Sequence, residues 1–502
     1  MPTRDAEEAA PERAALPPTG PVEALPDAVL RELREALRRA GYGDEIADEA
    51  ESLAYGMIDA VRRPVIAWRL RKVGTPAALA TLLFLHAGRL ERRAASALLG
   101  PDLLSALLGA GLLADAEGGV VSRFRLTPLQ GLLFLHDPFE GGPETAMGPG
   151  ITTVALARLL PPSPGAVLDV GCGAGTLALL AAARGARRAV GVDLSERAVA
   201  LARVNARLNG LAAEFRAGDL LAPVRGERFD LLLSQPPYVV APPGLAPTTY
   251  LHGGARGDEL ALRFAAAFPE ALAEGGRAAL FFDLPKAAEP VHRRVRRALG
   301  GARVSLAVLT GAGPSSELSA MAYATLEDPA IGPRYAEAVL RYREHIEAVA
   351  PAGFVRALAV LERPAAGAAG FEAALEVGHF DGVDAAALSR WLAGLALVAG
   401  PEEALRAAAV RPAPGARLTV TRRLDADTPP TRALRFAEKA LPRDFELSEA
   451  GEALLEALAV AGSVAEAEGL FAEACGRSPE AVRATVTGFV RDGLGRAALA
   501  PA

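Results

Sequence analysis

The chain has 502 residues, 51% of them hydrophobic, and a formal net charge of -6. That length suits two to four domains with sizeable cores, and the acidic balance argues against a wholesale electrostatic grip on nucleic acid while leaving room for a local basic patch. The two cysteines, Cys172 and Cys475, lie too far apart in sequence to suggest a disulfide framework or a cysteine-based metal site. A reducing cytoplasm is the natural setting for them, and no run of about 18 apolar residues offers a membrane span.

In chain order, residues 1–22 are acidic and proline-rich and read as a disordered leader. Residues 23–140 read as a helical domain. Helical periodicity runs through 29–42 and 44–63. Three short helices are expected at 76–88, 91–99 and 102–113, then two strands around Glu117-Gly118-Gly119, which is winged-helix order. Residues 141–330 alternate short Val/Leu runs with helical stretches, the pattern of a doubly wound α/β sheet. Strands are expected at 166–170, 188–193, 213–218, 229–234, 277–283, 303–310 and 317–326. The last two, separated by GAGPSSE, would form an antiparallel hairpin. Residues 331–440 read as an α+β extension, with a helix at 333–349 and strands at 354–363 and 417–424. Residues 441–502 read as three helices, a second winged-helix-like unit, with Ser478 as N-cap of the last and Gly493 as its stop.

Chemistry concentrates at the ends of the first four strands. In VLDVGCGAGTLALLAA (167–182), Asp169 stands near a strand end and the chain turns through Gly171, Cys172, Gly173 and Gly175 into a helix. NAD enzymes also use glycine-rich turns, and a packing turn in a cofactor-free domain would read alike. The D-x-G-x-G-x-G spacing favours S-adenosylmethionine (SAM), whose ammonium group needs carboxylate and carbonyl oxygens nearby. Asp193 ends the second strand with Leu194 beside it; a carboxylate there can accept both ribose hydroxyls. Ser195 reads as a helix cap, and Asn205 and Asn209 as packing residues. At the third strand's end, Asp219 would take the adenine amine with Leu220 flanking the ring, or would simply cap a loop.

The fourth strand ends in Ser234-Gln235-Pro236-Pro237-Tyr238. Here the chain resembles the methyltransferases that carry an Asn-Pro-Pro-Tyr motif, the HemK and rRNA guanine-N2 methyltransferase-like group. The resemblance implies a seven-stranded Rossmann-like class I sheet, SAM as cofactor, and an amino group held by the Gln235 amide oxygen and the Pro236 carbonyl. Pro237 stands among the catalytic motif residues and Tyr238 would stack on a planar acceptor; the plainer reading of Pro236-Pro237 is a strand-terminating turn. It also places Ser234 at the cofactor, and His252, Gly253 and Gly254 at the substrate mouth. The loop before the first strand would close over the methionine end of SAM, with Thr152 or Thr153 near its carboxylate; a linker with a capped helix is the plainer reading. One departure stands out, because the family's Asn is Gln235 here. The extra methylene carries the amide oxygen roughly 1.5 Å further, so the acceptor sits further out or the side chain folds back.

These readings imply methyl transfer to an amino or amide nitrogen of an RNA base, a protein or peptide side chain, or a small molecule. The N-terminal domain would be a lid, a dimer surface or a substrate clamp. Rival readings are a small-molecule O- or N-methyltransferase, and a SAM-sensing nucleic-acid-binding regulator with a degenerate site. The six histidines lack metal-ligand spacing, so no metal is expected. The basic stretches 62–72 and 292–303 would either meet phosphate or form solvated helix faces.

Overall fold

The computed structural model describes residues 16–45, 59–138, 142, 144–245, 248, 250–328, 331–422, 429–437, 441–442 and 444–502. Much of the helix expected over 44–63 lies outside these, as does most of the leader. The leader's last residues are folded: a short helical turn, Gly20–Glu23, buries Val22 completely. Helix α1 (Asp27–Arg39) follows and buries Leu30, Leu33 and Leu37 on one face. Next come α2 (Asp59–Val73) and α3 (Pro76–Ala80), the latter capped by the Thr75 side chain and running into a π-helical turn at Thr81–Leu85. Helices α4 (Arg92–Leu99) and α5 (Pro101–Gly109) precede an antiparallel hairpin of β1 (Leu113–Ala116) and β2 (Gly119–Ser122). Leu90 bridges to Val120 of that hairpin. A second hairpin, β3 (Arg125–Leu129) and β4 (Leu132–His136), is one that periodicity does not announce.

Helix α6 (Ile151–Ala157) leads into the sheet. Its strands are β5 (Ala166–Val170), β6 (Arg188–Asp193), β7 (Glu214–Ala217) and β8 (Phe229–Ser234), joined by α7 (Thr176–Ala183) and α8 (Glu196–Asn209). Short β9 (Val239–Val240) pairs with β10 (His252–Gly254) beside the sheet. Then come α9 (Glu259–Ala267), β11 (Leu272–Pro285), α10 (Val291–Leu299) and β12 (Ser305–Ala312). All five residues of β5 are buried, as a central parallel strand covered on both faces requires. Val167 packs on one face with α7, while Leu168 and Val170 pack on the other.

The seventh strand departs from expectation. Residues 317–326 are not a strand but lie within helix α11 (Ser316–Glu327), whose N-cap Ser315 accepts a hydrogen bond from the Leu318 amide. The segment SELSAMAYATLE is rich in helix formers and opens with a capping serine; its apolar alternation imitates a strand. Helix α12 (Tyr335–Val349) follows, and the strand that pairs with β12 is β13 (Phe354–Glu362), antiparallel to both β12 and β11. An added strand, β14 (Glu372–Glu376), pairs parallel to β12 at the edge. The sheet therefore has eight strands in the order β14-β12-β13-β11-β8-β5-β6-β7, not seven. A boundary at 330 would cut through it, because two of its strands lie beyond.

The rest of the chain leans on this sheet. Helix α13 (Ala385–Ala399) lays Trp391 and Leu392 into the same core as Phe281, Leu309 and Leu358 of the sheet. Beyond α14 (Glu402–Ala407) and β15 (Val410–Pro412), a three-stranded sheet forms from β16 (Arg417–Thr421), β17 (Thr431–Arg435) and β18 (Phe445–Leu447). Three helices follow: α15 (Glu449–Val460), α16 (Val464–Ala474) and α17 (Pro479–Gly495). Ser478 does cap α17, accepting from the Ala481 amide, but the helix runs past Gly493 to Gly495. Strand β19 (Leu499–Pro501) returns to pair with β15.

Candidate active site

Strands β7, β6, β5 and β8 are neighbours and parallel, so their C-terminal ends share one edge of the sheet. Asp169, Asp193, Asp219 and Gln235 all come from these four ends. In open α/β sheets such an edge is where ligands bind.

The glycine-rich turn after β5 is tied down from three sides. The amides of Gly171 and Cys172 both donate to the Val192 carbonyl on β6. Gly173 donates to a carboxylate oxygen of Asp193 at 2.8 Å, and the other oxygen of Asp193 accepts from the Ser195 amide at 2.9 Å. The Ala174 amide donates to the Met147 carbonyl of the incoming loop. Gly175 caps α7 in a left-handed conformation at φ 85°, where a Cβ would meet the Phe215 ring at 2.8 Å. Only glycine suits both constraints.

Asp169 is 2% exposed and accepts from the Ala178 amide at 3.2 Å, near the start of α7. Burial is the main reason its pKa rises to about 7, and the nearby Asp193 adds to it. Asp193 is likewise raised by burial, and the Cys172 thiol well above its usual range for the same reason. A buried pair of acids is costly when ionised and favours a cationic ligand. Leu194, at the tip of β6, is 61% exposed and presents an apolar side chain at the crevice edge. Asp219 is half-exposed and ion-paired with Arg263 of α9 at 2.6 Å, a partner the sequence does not announce. Leu220 takes a left-handed conformation at φ 49° and packs into the core beside α9. Ser234 is fully buried and its hydroxyl donates to the Val170 carbonyl, so it joins β8 to β5 rather than facing the crevice.

The Gln-Pro-Pro-Tyr segment is held by α6. Thr153 Oγ1 accepts from the Gly150 amide at 3.3 Å and donates to Gln235 Oε1 at 3.3 Å. The neighbouring Thr152 is buried beside the Tyr238 phenol. Thr153 thus ties α6 to the motif. The longer reach of Gln235 is taken up by turning towards α6. Burial pushes the Tyr238 phenol well above its usual range, with Asp283 adding to the effect. Asp283 and Arg356 lie opposite each other on β11 and β13 and form a bidentate pair at 2.8 and 2.9 Å. Tyr323 of α11 feels the same pair, and its phenol too is raised by burial. This polar group beneath Tyr238 is invisible to sequence reading, because it draws residues from three elements more than 30 positions apart in the chain.

His252 does not stand at an open mouth. It is buried; Nδ1 accepts from the Thr248 amide at 3.0 Å and Nε2 lies 3.1 Å from the Tyr342 hydroxyl of α12. Burial lowers its pKa. Gly253 backs the motif so closely that a Cβ would sit 2.5 Å from the Pro237 carbonyl oxygen and 2.8 Å from the Tyr238 Cα. Gly254, at φ 115°, lies against Glu259. The 252–254 segment therefore braces the motif from behind.

Residues 149–283 match the family model described as the methyltransferase small domain. This part of the chain is similar to the class I methyltransferases. Among relatives, a release factor glutamine methyltransferase of Geobacter sulfurreducens is 33% identical over 180 residues, covering 33% of this chain and 63% of its own. A release factor glutamine methyltransferase of Enterococcus faecalis is 45% identical over 80 residues, covering 16% and 29%. A ribosomal RNA small subunit methyltransferase C of Klebsiella pneumoniae is 42% identical over 84 residues, covering 16% and 24%. The chain spans less than two thirds of each of these relatives. No helix among the described residues is long and apolar enough to cross a membrane.

The methyltransferase domain is joined to the N-terminal unit by a polar clamp. Asn205 and Asn209, one turn apart on α8, each accept a backbone N–H from β4 (Leu135 at 2.7 Å, Leu133 at 3.0 Å) and each donate back to the same residue's carbonyl. Asn205 also donates to the Ala174 carbonyl of the glycine turn at 2.9 Å. The Asn-x-x-x-Asn spacing was the available signal; its partner strand was not.

Proposed function

We propose that this chain is a SAM-dependent methyltransferase that acts on an amino or amide nitrogen of a planar acceptor. The observation that carries the reading is the juxtaposition of an acidic glycine turn with an oriented amide at Gln235, on adjacent strand ends. Asp193 would exchange its bond to the Gly173 amide for the ribose hydroxyls, and Leu194 would lie along the adenine. Asp169, through the start of α7, would keep negative charge near the cationic cofactor. When bound, SAM supplies an electrophilic methyl on a sulfonium. The protein's own task is then alignment and exclusion of water. Gln235 Oε1 and the Pro236 carbonyl accept the acceptor's N–H groups, which aims the nitrogen lone pair into the crevice. Thr153 fixes the amide's direction, and the Tyr238 ring flanks the acceptor plane. No strong base is needed, because the proton leaves a nitrogen made acidic by methylation.

The acceptor is a protein or RNA group on the strength of what the relatives are named for. The two unpaired cysteines fit a reducing, cytoplasmic setting. The test is incubation with radiolabelled SAM and a cell extract, followed by fractionation. Label in protein or RNA supports the reading, and label nowhere sinks it. A Gln235→Ala variant should lose on the order of 100-fold in rate; an unchanged rate would remove Gln235 from the acceptor site.

A further inference from the structure

We propose that helix α2 is a docking surface for single-stranded RNA. Trp68 is 58% exposed, whereas Trp391, the chain's other tryptophan, is 1% exposed. Val65 and Val73 on the same helix are exposed as well, at 54% and 62%, and exposed apolar side chains gathered in one place mark interaction sites. Around it the exposed face of α2 reads, in order about the helix axis, Arg71, Trp68, Lys72, Val65, Arg69 and Val73, as the helical spacing dictates. The opposite face buries Ile66 and half-buries Ala67 and Leu70. No acidic residue falls between Pro64 and Val73. Among the described residues Arg69, Arg71 and Lys72 are exposed and join no ion pair, and Lys72 Nζ lies 5.1 Å from the Trp68 ring centroid. In a chain of net charge -6 this is a local reversal of sign.

Most of the other basic stretch, 292–303, is paired internally. There Arg294 pairs with the buried Asp258, Arg296 with Glu372 and Arg297 with Glu289. Helix α2 offers free cations interleaved with a stacking ring. A helix lying on a membrane segregates its apolar and basic faces; here they alternate. Alternation suits a nucleic-acid strand, whose phosphates and unpaired bases also alternate, with the indole as a platform for one base. A paired duplex hides its bases and offers the indole nothing to stack on.

The inference is independent of methyl transfer, and its assay contains no SAM. The full-length protein is titrated into a labelled single-stranded RNA of about 15 nucleotides at about 50 mM salt. Binding with quenching of tryptophan fluorescence is expected, and a blunt duplex of equal length should bind more weakly. Trp68→Ala should weaken binding about tenfold, and Trp68→Phe, which keeps a ring, should hold it within about threefold. Reversing Arg69, Arg71 and Lys72 to Glu should flatten the salt dependence by about two in log–log slope. No binding to single-stranded RNA, parent-like binding by Trp68→Ala or the charge-reversed variant, or binding only to anionic phosphatidylserine vesicles would each overturn the proposal. Melting curves of the variants, which change only exposed side chains, check that the fold survives.

Discussion

The N-terminal and C-terminal units both pack on the methyltransferase sheet, but they hold different ends of it. The N-terminal unit shares a core with α8 through Leu201, Val204 and Leu208, and reaches the glycine turn through Asn205 and the Met147 carbonyl. A further link is the buried Asp137, which takes both prongs of Arg197 from α8 and accepts from the Ala146 amide. The C-terminal unit attaches through α13, against β11, β12 and β13, where Trp391 fills the core and donates to the Gly495 carbonyl at 3.0 Å. Attachment at one end is woven into the glycine turn, and at the other it only covers the sheet. Loss of the first should cost affinity for the cofactor, and loss of the second only stability.

The largest effect should come from the C-terminal side. Trp391→Ala removes a fully buried ring and should destabilise the protein by about 3–5 kcal/mol. Thermal melting reads the loss, while titration with SAM below the melting range should show unchanged affinity. Asn205→Ala should cost about 3 kcal/mol, because it strands the Leu135 amide, the Leu135 carbonyl and the Ala174 carbonyl. Unlike Trp391→Ala, it should also weaken SAM binding several-fold. Equal effects of the two variants on SAM affinity would erase the contrast between the units.

A pH titration sharpens it further. The Asp169 carboxyl is raised from 3.8 to about 7 by burial. The folded state thus prefers it protonated, while the unfolded chain ionises it from about pH 4. Its contribution to stability is therefore full in acid, falls as pH rises from about 4 to about 7, and is flat above that. Affinity for a cationic cofactor should move the opposite way and rise through pH 7 as the carboxylate forms. Both trends should vanish in Asp169→Asn, and a pH-independent affinity in the parent would exclude a role for this charge. The smallest change should be Ser478→Ala, about 1 kcal/mol from a lost helix cap on α17, with no change at the cofactor site.

The same contrast explains what could be read in advance. Strands β5, β6 and β8 are continuous apolar runs ending in turn residues, so local pattern finds them to the residue. The candidate site's edge follows from them, because parallel neighbours must bring their C-terminal ends together. Pattern failed at 317–326, where an amphipathic helix of small residues alternates like a strand, and the true partner of β12 waits beyond two inserted helices. It also gave no hint of Thr153 meeting Gln235 across 82 positions, or of Asp283 meeting Arg356 across 73. Such pairs are set by where elements pack, and no local signal carries that information. Roles drawn from resemblance fared unevenly for a related reason. Ser234 and His252 stand where expected along the chain, yet their side chains bond to the sheet and to Tyr342.

The account stands or falls on whether the crevice edge formed by β6 holds the nucleoside. Calorimetric titration of SAM into the parent and into Asp193→Ala tests this most directly. The account predicts saturable one-to-one binding by the parent and at least a tenfold loss in the variant. Equal affinity in the two, or no binding by the parent, would contradict it.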